Sequence, residues 1–212
     1  MNYLELQNNI KAYLYGRKDL DLIVPTFIEL AESKIYRELR APENETIFAT
    51  QSQPGEAFDF IAQPADFLEV KMLTINGKPL ERVSEREMAG KRATDDAVGE
   101  PSVFARVLND LRFWRLSDSN YEIELYYWRT FEGSLVAGTD TNAILTAYPD
   151  IYLFGALKEA MPYLVDDARV QVWQMMYQEA IEYVNGRTIA QEYSGSPVAV
   201  SSVYPDPLRG RA

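Results

Sequence analysis

The sequence predicts an α+β protein: an antiparallel helical bundle, built from an N-terminal and a C-terminal helix pair, with a β-rich insertion and an extended C-terminal arm. Three observations carry that prediction. Apolar residues recur at helical spacing from the start to about residue 40, and again from Pro149 to Val184. Between about 44 and 131 the runs are short, rich in β-branched and aromatic residues, and punctuated by Pro and Gly. From 194 to 212, three prolines, two glycines and four serines forbid a helix. The expected divisions are 1–43 with 141–193 for the bundle, 44–140 for the insertion and 194–212 for the arm.

The first helix is expected over 1–15, with Leu6, Ile10, Tyr13 and Leu14 on one side. Asn2 followed by Glu5 has capping-box spacing. Gly16 breaks it, and a second helix runs to about Arg40 on the stripe Val24, Phe27, Ile28, Ala31, Ile35 and Leu39. Pro25 lies near its start and Pro42 follows its end. Strands are expected near 45–51, 56–61, 68–76, 79–83, 102–108, 111–117 and 121–130. Asn76-Gly77 is a hairpin turn and Asn109-Asp110 turns the next. Ser84 with Glu87 caps a short helix over 85–91, and 132–140 reads as a return loop. The aromatic run at 124–131 reads as a strand with both faces buried.

The closing hairpin is the organising stretch. Its first helix starts at Pro149, where a missing N–H is tolerated, and carries Leu153, Phe154, Leu157, Met161 and Leu164. Pro162 should kink or break it. Asp166 or Asp167 is placed to cap a second helix, whose stripe is Val170, Trp173, Met176, Tyr177, Ala180, Ile181 and Val184. That helix is expected to end near Asn185-Gly186. Phe154, Leu157, Met161, Leu164, Trp173, Tyr177 and Ile181 are the predicted core of the hairpin, and Gly155 a point of close packing.

Composition removes most chemistry. Hydrophobic content of 47% and aromatic content of 12% suit a folded domain. There is no signal-type apolar run and no apolar stretch near 20 residues, so a chain that is neither exported nor membrane-spanning is expected. With no cysteine and no histidine, thiol nucleophiles, disulfides, zinc–thiolate sites, imidazole ligands and Ser-His-Asp triads are excluded. No phosphate-binding loop or complete calcium loop is present. The net charge of −11 reads as that of a soluble protein kept apart by repulsion, or as a surface that sits near nucleic acid without sticking to it. No cofactor or metal is expected.

The arm reads in isolation as disordered. Held by a partner, it has a second use. Val198, Val200 and Val203 could add a strand to a neighbour's sheet edge, while Tyr204, Pro205 and Leu208, with Arg209 beside them, could plug an apolar groove. Extended, it would reach about 60 Å, enough to cross onto an adjacent subunit.

Four stretches, taken in order, resemble the head-to-tail adaptor proteins of short-tailed bacteriophages. They are YLELQNNIKAYLYGRKDL, IVPTFIELAESKIYRELR, QPADFLEVKMLTINGKPLERVS and TNAILTAYPDIYLFGALKEAMPYLVDDARVQVW. The segment EPSVFARVLNDLRFWRL fits the position of a hairpin in the insertion. The resemblance implies a non-enzymatic structural protein of the virion neck, assembled in the host cytoplasm as a ring, a dodecamer, of helical bundles with projecting insertions. The ring would dock on the portal protein and link it to the tail nozzle protein, with DNA passing through without sequence-specific binding and no membrane involved. Two other readings stay open: a different neck component, such as a stopper or tail-completion protein, and a carboxylate-dependent hydrolase. The hydrolase needs two acidic residues about 5–10 Å apart in a cleft, one with a raised pKa.

Overall fold

The computed structural model describes residues 1–16, 18–52, 60–95, 97–130, 135–164 and 167–192. Helix α1 (Tyr3–Tyr13) starts where Asn2 and Glu5 cap each other reciprocally, at 2.8 and 3.0 Å. It stops at Tyr15 and Gly16, both at positive φ, where the Gly16 N–H returns to the Lys11 carbonyl. Helix α2 (Val24–Glu38) has Pro25 in its first turn, where the missing N–H costs no helical bond. Leu6, Ile10, Val24, Ile28, Ala31 and Ile35 from these two helices are buried in one apolar cluster.

That cluster is completed by α4 (Ala143–Ala147), α5 (Pro149–Leu164) and α6 (Asp167–Glu192). Helix α4 lies between the return loop expected at 132–140 and the helix expected from Pro149, in a stretch given to the bundle but to no element of it. Its N-cap Asn142 accepts from the Leu145 N–H at 2.7 Å, and Ile144 and Leu145 are buried. Pro162 does not break α5. It stands two residues before the helix ends, so the bond it removes lies in a turn that is already terminating. Helix α6 does not stop at Asn185-Gly186. Asn185 and Thr188 are both engaged with the end of α2, and those contacts hold the last turns in helical form past a glycine that would otherwise end them. The Arg40 N–H donates to Asn185 Oδ1 at 2.8 Å, Asn185 Nδ2 donates to the Glu38 carbonyl at 2.9 Å, and Thr188 Oγ1 donates to the Arg40 carbonyl at 2.9 Å. Asp166, one of the two candidate caps of α6, lies outside the described residues.

The strands are β1 (Glu45–Gln51), β2 (Phe60–Ala62), β3 (Phe67–Ile75), β4 (Lys78–Pro79), β5 (Glu81–Arg82), β6 (Val103–Val107), β7 (Asp110–Trp114) and β8 (Glu122–Arg129). They form two four-stranded sheets, in the orders β1-β8-β3-β4 and β2-β7-β6-β5. Ile61, Phe104, Leu111 and Phe113 from one sheet, and Leu73, Ile75, Ile123, Leu125 and Tyr127 from the other, make a shared core. The expected single strand at 79–83 is two. The chain pairs with β3 through Lys78 and Pro79, then with β6 through Glu81 and Arg82, crossing between the sheets at Leu80. Helix α3 (Glu85–Thr94), capped by Ser84, covers the other face of the second sheet through Met88, over Val103 and Ala105.

Asn76 and Gly77 take φ of 48° and 73°, the pair of positive angles that a tight hairpin turn requires. The second hairpin turns one residue earlier than expected, on Leu108 and Asn109. Leu108 takes a φ of 57° and is 83% exposed. β8 alternates: Ile123, Leu125 and Tyr127 are buried, whereas Glu124 and Tyr126 on the opposite face are half-buried. The reading of two buried faces holds only at Trp128, beneath the Lys71 ammonium 5.4 Å from its ring centroid. At the junction of helices and sheets, Arg40 also binds Glu69 of β3 through Nε at 2.9 Å and Nη2 at 2.8 Å.

Candidate assembly surface

Helix α6 is 26 residues long, about 39 Å at the usual rise. One face is committed to the core, with Tyr177, Ile181 and Val184 buried and Val170, Trp173 and Ala180 packed at its margin. The contact is close. A Cβ on Gly155 of α5 would stand 3.1 Å from the Ala31 Cβ and 3.3 Å from Tyr177 Cε2, so three helices meet where only a glycine fits without displacement. Lys158 Nζ lies 4.2 Å from the centroid of the Tyr177 ring. Burial and then the neighbouring Lys34 lower the Lys158 pKa; burial and then Glu38 raise that of the Tyr177 phenol.

Of the predicted hairpin core, Leu157, Met161, Tyr177 and Ile181 are buried, and Phe154, Leu164 and Trp173 are half-buried against them. Trp173 stacks on Phe154 with centroids 6.0 Å apart and meets Tyr13 edge-on at 5.5 Å. Met176, expected in the buried stripe, instead lies at the surface. At 100° per residue it is turned away from Ile181 and towards Val172 and Tyr183, at spacings of four and seven. Val198, Val200, Val203, Tyr204, Pro205, Leu208 and Arg209 of the arm lie outside the described residues.

The outward face of α6 was not anticipated. Val172, Met175, Met176, Tyr183 and Ile189 are exposed on it, Met175 at 64% and Tyr183 at 68%. Beside it runs a shallow trough whose lining is polar apart from Met175: Gln171, Gln174, Gln178, Glu179 and Glu182. The helix thus carries apolar side chains on two nearly opposite faces, and only one of them is covered in a single copy. The available signal was that apolar residues of 167–192 do not fit one stripe: Val172, Met175, Tyr183 and Ile189 are left over once the buried face is assigned.

Among the described residues, no three acidic residues converge as a metal site. The Glu32 carboxyl is raised above its ordinary range by burial and, less, by Glu29; the hydroxyl of Tyr152, donated to it at 2.9 Å, acts in the opposite direction. Tyr152 is fully buried and also accepts from Asn142 Nδ2 at 2.8 Å, so this network ties α2 to α5 and the cap of α4. Burial and the nearby Glu32 push the Tyr36 phenol up to about 12.

A family model described as SU10 adaptor protein matches residues 1–201. The chain belongs to the SU10 adaptor protein family. This is a family of phage adaptors, the kind of protein its sequence stretches resemble, and it implies a place in the virion neck with portal and tail proteins as neighbours. No curated protein matches the chain. Among the described residues, no helix is long and apolar enough to cross a membrane.

Proposed function

We propose that this adaptor is the subunit of a closed ring that docks on the portal and links it to the tail nozzle around the DNA passage, without catalysing a reaction. The observation that carries the reading is the uncovered outward face of α6, which fits a neighbouring copy in the ring. Burying five such side chains contributes about 1–2 kcal/mol each, on the order of 5–10 kcal/mol in all. Loss of translational and rotational freedom costs a similar amount, so one contact between two free subunits is weak. A ring repeats the contact in every subunit and closes on itself, which makes assembly cooperative and favours completion on a portal. The net charge of −11 suits a channel wall past which phosphate slides, because no counterions are released to hold it.

The test is a solution mass, by light scattering, of the protein alone and mixed with its portal. A defined ring bound to portal is the expected result. Met175→Lys with Tyr183→Lys should keep the subunit's fold and thermal stability but lose the ring. Two separate species in every mixture, or a ring indifferent to the double variant, would refute the assignment.

A further inference from the structure

Sheet edges expose unpaired backbone groups, and three of the four edges here are blunted in the usual ways. β4 is two residues long and contains Pro79. β5 is two residues and both are charged. β2 is three residues long. The fourth, β1, is different. It runs for seven residues, is paired along its whole length with β8 without a register shift, and among the described residues has no strand on its other side. Its central residues Thr46–Thr50 include no proline and no charge. Ile47 is 55% exposed and Phe48 38% exposed, although Phe48 sits opposite the buried Leu125 and so faces the shared core. β1 is therefore an open side of the sandwich with an apolar residue on each face, a site shaped to receive one more strand.

Continuing from the ring reading above, on which this rests, we propose that β1 is the acceptor for the arm of a neighbouring copy, whose residues 197–203 add an antiparallel strand to the sheet. The occupant follows from where the described chain ends. Thr188 is bonded to the Arg40 carbonyl, five residues before β1 begins, and Arg40 is bonded to Glu69 of β3, so the described chain ends within five residues of a contact at the junction with the sheets. Its sequence there, PVAVSSV, has Val198 and Val200 two apart, on one face of a strand, and has its proline at the start, where a strand tolerates one. The first sheet is antiparallel in every pairing, and antiparallel addition gives the stronger ladder. The ring reading puts a second copy beside each subunit, so the arm assigned to β1 is the neighbour's.

The absence of cysteine makes the test clean. Single cysteines are placed at Thr46, Phe48 or Thr50 in one full-length population, and at Val198 or Val200 in a second. The two are mixed under assembling conditions and oxidised, and the products are sized under denaturing conditions. Covalent dimers between the two populations are expected. Moving the arm cysteine from Val200 to Val198 should shift the preferred β1 partner by two residues towards Gln51, the direction that antiparallel pairing dictates. A shift the other way, or crosslinking within a third, doubly substituted chain and none between the two populations, overturns the proposal. Rings that form normally but yield no crosslink overturn it while leaving the ring reading intact. Absence of both rings and crosslinks overturns both.

Discussion

Two glycines inside helices allow the same chemical change to be made in opposite surroundings. At Gly186 of α6 an added methyl meets nothing within 4 Å, so Gly186→Ala gains helix propensity alone, about 0.5–1 kcal/mol. At Gly155 of α5 the same methyl stands 3.1 Å from the Ala31 Cβ and 3.3 Å from the Tyr177 ring. Neither is the far end of a flexible chain, because one is fixed to the α2 backbone and the other is wedged among buried residues. Relief requires α2 or α6 to move, which costs about 1–3 kcal/mol. Gly155→Ala should thus end between neutral and about 2 kcal/mol destabilised. The two variants should differ by about 1–3 kcal/mol, equivalent to several degrees in Tm for a chain of this size. Urea unfolding followed by circular dichroism, at a concentration where subunits are dissociated, measures both. If Gly155→Ala is as stabilising as Gly186→Ala, the three helices do not meet as closely as the 3.1 and 3.3 Å approaches require.

Glu32→Gln keeps an acceptor for the Tyr152 hydroxyl and removes a half-buried charge. Because the folded-state pKa of Glu32 lies above its ordinary 4.5, the folded protein holds that proton longer than the unfolded chain, and stability falls as pH rises through the window just above 4.5. The variant should lose that slope and melt higher than wild type at pH 7; parallel Tm curves from pH 4 to 7 would contradict this. Tyr152→Phe leaves the buried Asn142 Nδ2 without its partner and should cost about 1–3 kcal/mol in denaturant unfolding. Trp173→Ala should cost about 2–3 kcal/mol, less than the loss of a fully buried indole, because the ring is half-buried between Tyr13 and Phe154. Leu108→Gly relieves a positive φ at an exposed turn and should stabilise the subunit by about 1 kcal/mol, read as a raised Tm.

What the sequence made legible was mostly local. The Asn2–Glu5 box, Pro25 in a first turn, Ser84 before α3 and the Asn76-Gly77 turn each act through neighbours in the chain, and each stands where its chemistry placed it. The errors come where distant residues decide. Asn185-Gly186 is a stop signal overruled by the end of α2, 145 residues away along the chain. Pro162 is tolerated because of where the helix was about to finish, which periodicity does not give. The crossing at Leu80 depends on two sheets lying together, and the segment alone reads as one strand. On α6, Met176 falls in the expected stripe through its spacings of three from Trp173 and four from Ala180. Nothing in a single helix says which of two apolar faces meets its own core and which meets another molecule.

Arg40 gives the molecule a mechanical property. Its amide and carbonyl are gripped by α6 while its guanidinium is clamped to Glu69 of β3, so one residue is the rivet between the long helix and the sandwich. A rotation of the sheets thus has a second route to the far end of α6, through Arg40, beside the short turn between Ala41 and Glu45. In a closed assembly that couples every subunit to the next, a load taken up on one side would travel around the circumference through levers of this kind.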